Sequence, residues 1–221
     1  MLQAENKEPQ EDATVRGVKP FVLVGIPAFN EEQSIGPIVL EAQRYADMVV
    51  VCDDGSSDLT ASVARGHGAC VIKHKRNLGK GAAIRSLFKK ALDLDADVIV
   101  TLDGDGQHDP SEIPCLLRPI KDLDADIVVG SRFISRKNGM PRYRSFGSKI
   151  INLIVNLHAN GHFVLDTQSG FRAYNRKALG DIEVKTEGMG VDSEILLKAY
   201  ANEVRVQEIA ISCRYRPPTA R

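Results

Sequence analysis

Five short apolar runs recur along the chain, each followed by a polar cluster and, apart from the last, by a stretch with helical periodicity. FVLVGIP (21–27), MVVVC (48–52), ACVIKH (69–74), DVIVTL (97–102) and DIVVG (126–130) are nearly continuous in apolar and β-branched residues. Such runs suit strands buried on both faces, since a strand with one wet face would alternate. Between them, apolar positions follow a helical period over 34–46, 58–65, 80–92 and 111–121. This spacing predicts βαβ units with right-handed crossovers: an α/β fold, with one mostly parallel sheet flanked by helices in a single domain.

After residue 131 the rhythm breaks. A basic segment (132–149) carrying Gly139 and Pro141 precedes an apolar helix-like stretch (150–159), the segment SGFRAY, a helix over 191–201 and a last strand within VRVQEIAISCRY. Residues 1–19 are polar and aperiodic and read as a flexible tail, which leaves 20–221 for the folded domain.

Composition narrows the classes. A chain of 221 residues, 43% hydrophobic, can bury a sizeable core. Its 29 basic residues balance 29 acidic ones, which argues against a nucleic-acid binder working through global charge. Cysteines 52, 70, 115 and 213 form no C-x-x-C pair, so neither a zinc site nor a disulfide framework is indicated, and a reducing, cytoplasmic setting fits. No apolar run approaches the ~20 residues of a membrane span, and the N-terminus lacks the layout of a signal peptide. Charge is nonetheless uneven: ten acids against two bases from Asp93 to Asp126, then six bases and no acid from Arg132 to Lys149.

In open α/β sheets ligands bind beyond the carboxyl ends of the strands, so the polar clusters there are the candidate chemistry. Asp103-Gly104-Asp105-Gly106-Gln107 is the sharpest. Two carboxylates two residues apart and a side-chain amide oxygen offer hard ligands to Mg²⁺ or Mn²⁺, with water and phosphate oxygens completing the shell. A calcium EF-hand loop would need Gly at 108 and Glu at 114, where His108 and Pro114 stand. RNLGKG is not a Walker loop either, because His74 and Gly81 occupy positions that motif reserves for Gly and Ser or Thr. His108 has two readings, a phosphate contact or a turn-stabilising hydrogen bond. His67, His74, His158 and His162 read as surface or loop residues.

IPAFNEE, CDDGSSDLT, RNLGKGAAIR, DGDGQHDP and GSRF, one after each run and in this order, together resemble the family 2 glycosyltransferases of GT-A fold. DTQSGFRAYNRKAL and VDSEILLKAYANEVRVQEIAI place the resemblance in the branch of dolichyl-phosphate mannose synthases and related polyprenyl-phosphate hexosyltransferases. It spans roughly residues 21–216.

The resemblance implies site roles residue by residue. Pro27, Phe29 and Glu31 match nucleotide-contacting positions, with Phe29 where the family usually has Tyr. Asp54 matches the carboxylate that reads the base, Cys52 a neighbouring wall position, and Asn77 with Gly79 shapes the nucleotide pocket. Asp103, Asp105 and Gln107 match the metal-binding positions, and Gly104 a small-residue site between them. Arg132 matches the arginine of the G-S-R motif, Arg144 an arginine near donor and acceptor phosphates, and Arg216, by a looser alignment, a C-terminal arginine. Asp192 and Glu194 stand where other family 2 enzymes place a general base.

The implied activity is inverting transfer of a hexosyl unit from a nucleotide diphosphate sugar to dolichyl or polyprenyl phosphate. It would depend on Mg²⁺ or Mn²⁺ and run peripherally at the cytoplasmic membrane face. The DGDGQH form leans towards UDP-glucose or UDP-N-acetylglucosamine, with GDP-mannose next. Relatives often continue beyond the point where this chain ends at RPPTAR, so a truncated C-terminus stays open. Three alternatives remain: a transferase acting on a sugar or protein hydroxyl, a pyrophosphorylase (whose Gly-rich signature is missing) and a non-catalytic nucleotide-sugar-binding module.

Overall fold

The computed structural model describes residues 19–134 and 163–213. The five apolar runs form β1 (Val22–Ala28), β2 (Met48–Asp53), β3 (Cys70–Lys73), β4 (Val98–Thr101) and β5 (Ile127–Ser131). The periodic stretches between them form α1 (Ile35–Ala42), α2 (Thr60–Gly66), α3 (Lys80–Asp93) and α4 (Ile113–Lys121), the last entered through a 3₁₀ turn at Pro110–Glu112. Then come β6 (Arg172–Asn175), α5 (Arg176–Asp181), α6 (Val191–Ala201) and β7 (Val206–Ala210). The expected tail falls outside the described residues, as do the stretch 150–159, Arg144 and Arg216.

The seven strands run in the order β3-β2-β1-β4-β6-β5-β7. All neighbours are parallel except β6, which is antiparallel to both β4 and β5. Both faces are covered, which explains the unbroken apolar runs. Leu23, Val50, Ile99 and Val129 face one core with Leu87 of α3 and Ile195 of α6. Val24, Val51, Val100 and Val128 face the other with Val39 of α1 and Leu116 of α4.

Two expectations need correction. From β3 to β4 and from β4 to β5 the chain moves in the same direction across the sheet, yet α3 and α4 pack on opposite faces. These crossovers therefore have opposite hands, and the right-handed rule does not hold throughout. SGFRAY, which carried no element in the sequence reading, supplies β6. Its period is masked because a charged residue, Arg172, points into the core with none of its surface exposed. The guanidinium is satisfied by three carbonyls: Nε donates to Ser169 O (2.8 Å), Nη1 to Asp192 O (2.9 Å) and Nη2 to Thr167 O (2.8 Å). Buried donors so matched cost little, which is how a charge sits inside a strand.

Candidate active site

The loops after β1, β2, β3 and β4 enclose a cleft of about 380 Å³ at the carboxyl ends of the strands. Pro27, Phe29, Glu31, Asp54, Asn77, Gly79, Asp103, Gly104 and Asp105 all line it, so most of the sequence candidates converge. Five lining residues carried no assigned role in the sequence: Ala28, Lys80, Ala83, Gly188 and Met189. Lys80 was visible after the third run, but nothing in RNLGKG told its direction.

The loops brace one another. Ser34 Oγ lies 2.7 Å from both Glu31 Oε2 and the Gly104 carbonyl, tying the β1 loop to the β4 loop. Asp54, almost fully buried, accepts the amides of Leu78 (3.0 Å, on Oδ1) and Gly79 (2.7 Å, on Oδ2) and so shapes the β3–α3 loop. Gly188 and Met189 arrive on a strap after α5. Glu194 of α6 anchors the strap by accepting the amides of Lys185 and Thr186 at 2.9 and 2.8 Å. The strap packs so closely on the start of α3 that a Cβ at Gly81 would lie 2.0 Å from the Thr186 carbonyl oxygen. Glu194 is thus a strap anchor. Although burial opposes its charge, Lys198 and the two amides hold its carboxyl down at about 2.

At the other end of the cleft stands an ionic triad. The Lys80 ammonium, 12% exposed, lies 2.9 Å from Asp103 Oδ1 and 3.0 Å from Asp192 Oδ2. Burial works against its charge, but the two carboxylates raise it above its ordinary value. Burial likewise opposes ionisation of Asp103, and Lys80 overrides it, holding that carboxyl below the usual range. The backbone leaves room for the triad at Gly170, where a Cβ would sit 2.6 Å from Asp103 Oδ2 and 2.8 Å from Lys80 Nζ.

Asp105 accepts from Gln107 twice, from its amide at 2.9 Å and its side-chain nitrogen at 2.6 Å, so the two proposed ligands are adjacent. Among the described residues no group of three or more His, Cys, Asp and Glu side chains is arranged to hold a metal alone. The donor set is therefore a carboxylate, an amide and a second carboxylate shared with Lys80. That set fits Mg²⁺ or Mn²⁺ if most of the shell comes from a bound diphosphate and water. The charge balance points the same way. Four carboxylates line the cleft (Glu31, Asp54, Asp103, Asp105), and Lys80 is the single basic side chain among the described lining residues.

Other candidates lie elsewhere. Cys52 is fully buried behind the wall, where burial pushes its thiol up to about 12. Arg132 is committed to Asp166, with Nε on Oδ2 at 2.7 Å and Nη2 on Oδ1 at 2.8 Å. Asp192 is 4% exposed and faces Lys80. His74, read as a surface or loop residue, lies in the loop after β3 with its ring largely buried behind the cleft, 2.6 Å from Asp54. His108 is buried 5.3 Å from the Phe171 ring; neither nitrogen has a partner among the described residues, and desolvation lowers its pKa. The expected turn-stabilising bond is absent.

The strand order and the acid-lined cleft at the carboxyl ends of its parallel strands define a GT-A glycosyltransferase. The profile of glycosyl transferase family 2 matches residues 23–183, and the chain belongs to that family. It is 32% identical over 212 residues to a UDP-N-acetylglucosamine–dolichyl-phosphate N-acetylglucosaminyltransferase of Methanococcus voltae, covering 86% of this chain and 84% of that one. It is 35% identical over 190 residues to a dolichyl-phosphate hexose transferase of Haloferax volcanii, covering 85% and 80%. Among solved structures, glucosyl-3-phosphoglycerate synthase from Mycobacterium tuberculosis, in complex with Mn²⁺ and UDP, superimposes with a TM-score of 0.70 at 21% identity, covering 90% of this chain and 73% of that one.

Proposed function

We propose that this glycosyltransferase moves a hexosyl unit, with inversion, from a nucleotide diphosphate sugar to dolichyl or polyprenyl phosphate, with a UDP-sugar favoured over GDP-mannose. The observation that carries the donor half is the cleft itself: an aromatic (Phe29) and a buried carboxylate (Asp54) share its lining with Asp103 and Asp105, and its one ammonium, Lys80, is held between Asp103 and Asp192. A diphosphate entering so acidic a site would be repelled without a divalent cation. Asp103, Asp105 and Gln107 are the residues to hold Mg²⁺ or Mn²⁺, which when bound neutralises charge developing on the leaving diphosphate.

The names of the two archaeal relatives support the acceptor half. An acceptor phosphate oxygen attacks the anomeric carbon from the face opposite the diphosphate. The new carbon–oxygen bond forms as the old one breaks, and the nucleoside diphosphate leaves with the bonding pair. An ionised phosphate needs no base. Asp192 agrees with that economy, since a buried carboxylate paired with Lys80 would have to leave its partner before taking a proton. The basic segment after Arg132, with Arg144, supplies charge to orient the second anion against the first and to draw the protein to an anionic membrane surface.

The test is turnover of labelled UDP-glucose, UDP-N-acetylglucosamine and GDP-mannose with polyprenyl phosphate and with a sugar hydroxyl acceptor. On polyprenyl phosphate, Arg144→Ala should lose most of the turnover and Asp192→Asn comparatively little. Glycosylation of the hydroxyl alone, dependent on Asp192, would refute the reading.

A further inference from the structure

His74 follows β3, and its amide donates to the Asp53 carbonyl at 2.9 Å, fixing the backbone beside β2. Its ring is wedged between Asp54 and α3: Nδ1 is 2.6 Å from Asp54 Oδ1, and Nε2 is 2.9 Å from Ser86 Oγ and 3.6 Å from Cys52 Sγ. A carboxylate only accepts, so the proton on Nδ1 is assigned by its partner, and Nε2 is left to meet the Ser86 hydroxyl. A carboxylate offers about four acceptor positions, two on each oxygen. On Asp54, Oδ1 is filled by His74 and the Leu78 amide, while Oδ2 carries, among the described residues, the Gly79 amide alone. One position remains, on Oδ2.

We infer that His74 determines which nucleobase the cleft accepts: by filling Oδ1 of Asp54 it leaves a single acceptor and so selects uridine over guanosine diphosphate donors. The inference rests on the reading of Asp54 as the base-contacting group. Uracil presents one imide N–H and needs one acceptor. Guanine presents two adjacent donors, its ring N–H and its exocyclic amine, and pairs well with a carboxylate only when both oxygens are open. His74 is thus a positioning residue that acts through Asp54. It does so without touching the sugar or the metal ligands.

The test is calorimetric titration of the full chain with UDP and with GDP in the presence of Mn²⁺. Wild type should bind UDP about tenfold or more tightly than GDP, the worth of one charge-assisted hydrogen bond. His74→Phe, which removes the His74 donor from Oδ1 while the Leu78 amide stays, should bring the two affinities within about threefold. His74→Asn, which can return a donor near the Nδ1 position, should keep the UDP preference. Equal weakening of both nucleotides in His74→Phe would mean a merely structural role and overturn the inference, as would a wild type that binds GDP as tightly as UDP, a ratio that needs no variant to fold. Asp54→Asn with unchanged affinity for both nucleotides would instead overturn the base-contact reading beneath it.

Discussion

Replacing Lys80 by Met removes the one ammonium between Asp103 and Asp192 and leaves a side chain of similar length. Removing one partner of a buried ion pair costs about 3–5 kcal/mol, because the other charge stays desolvated and unpaired. Here the two carboxylates differ in their recourse to water. The Asp192 side chain is 6% exposed and cannot reach solvent, whereas Asp103, at 29%, can be partly hydrated. The lower end, about 3 kcal/mol, is therefore expected. For a chain of this size a kcal/mol is worth roughly 2–4 °C, so the Tm should fall by about 6–12 °C. In urea the midpoint should drop by about 1 M, taking a slope of roughly 3 kcal/mol/M.

Asp192→Asn in the Lys80→Met background should restore part of the loss, since it removes the stranded charge. Equilibrium urea denaturation by far-UV circular dichroism, run on the two single variants and the double, reads both quantities. A Lys80→Met variant within about 1 kcal/mol of wild type, or strictly additive effects in the double variant, would refute the argument that the triad is coupled and desolvated.

Gly170→Ala should disrupt the same triad from the backbone side, because its Cβ would press within 2.6–2.8 Å of Asp103 and Lys80; loss of turnover with a lowered Tm checks it. Asp105→Ala should abolish turnover while shifting Tm by only a few degrees, about 1 kcal/mol, since its side chain is at the cleft surface; activity undiminished in EDTA would count against any metal role. Glu194 has a folded pKa depressed to about 2 from an ordinary 4.5, so its contribution is present above 4.5 and is lost as pH falls towards 2. Glu194→Gln should therefore flatten the acid-side decline of Tm in that window. Gly81→Ala should loosen the strap from α3 and raise the KM for the donor, with KM measured against kcat to separate binding from chemistry.

The amino-acid order by itself determined the five parallel strands and the helices between them, because strands buried on both faces leave an uninterrupted β-branched signal. It also determined the position of the acidic cluster, since polar residues that interrupt such runs must lie at the strand ends. Pro27, Phe29, Glu31, Asp54, Asn77, Asp103, Gly104 and Asp105 all fall at or just after the ends of these runs, so order places them at one rim of the sheet, where the cleft lies. What order could not convey was pairing across long separations. Lys80 meets Asp192 at 112 positions' distance, Arg132 meets Asp166 at 34 and His74 meets Asp54 at 20. Each pair is strong because burial removes competing water, and burial is a property of the packed chain, not of its local pattern. The same holds for β6. Arg172 spoils the apolar signal locally, and only the three carbonyls that the folded loops present to it make its place in the sheet favourable.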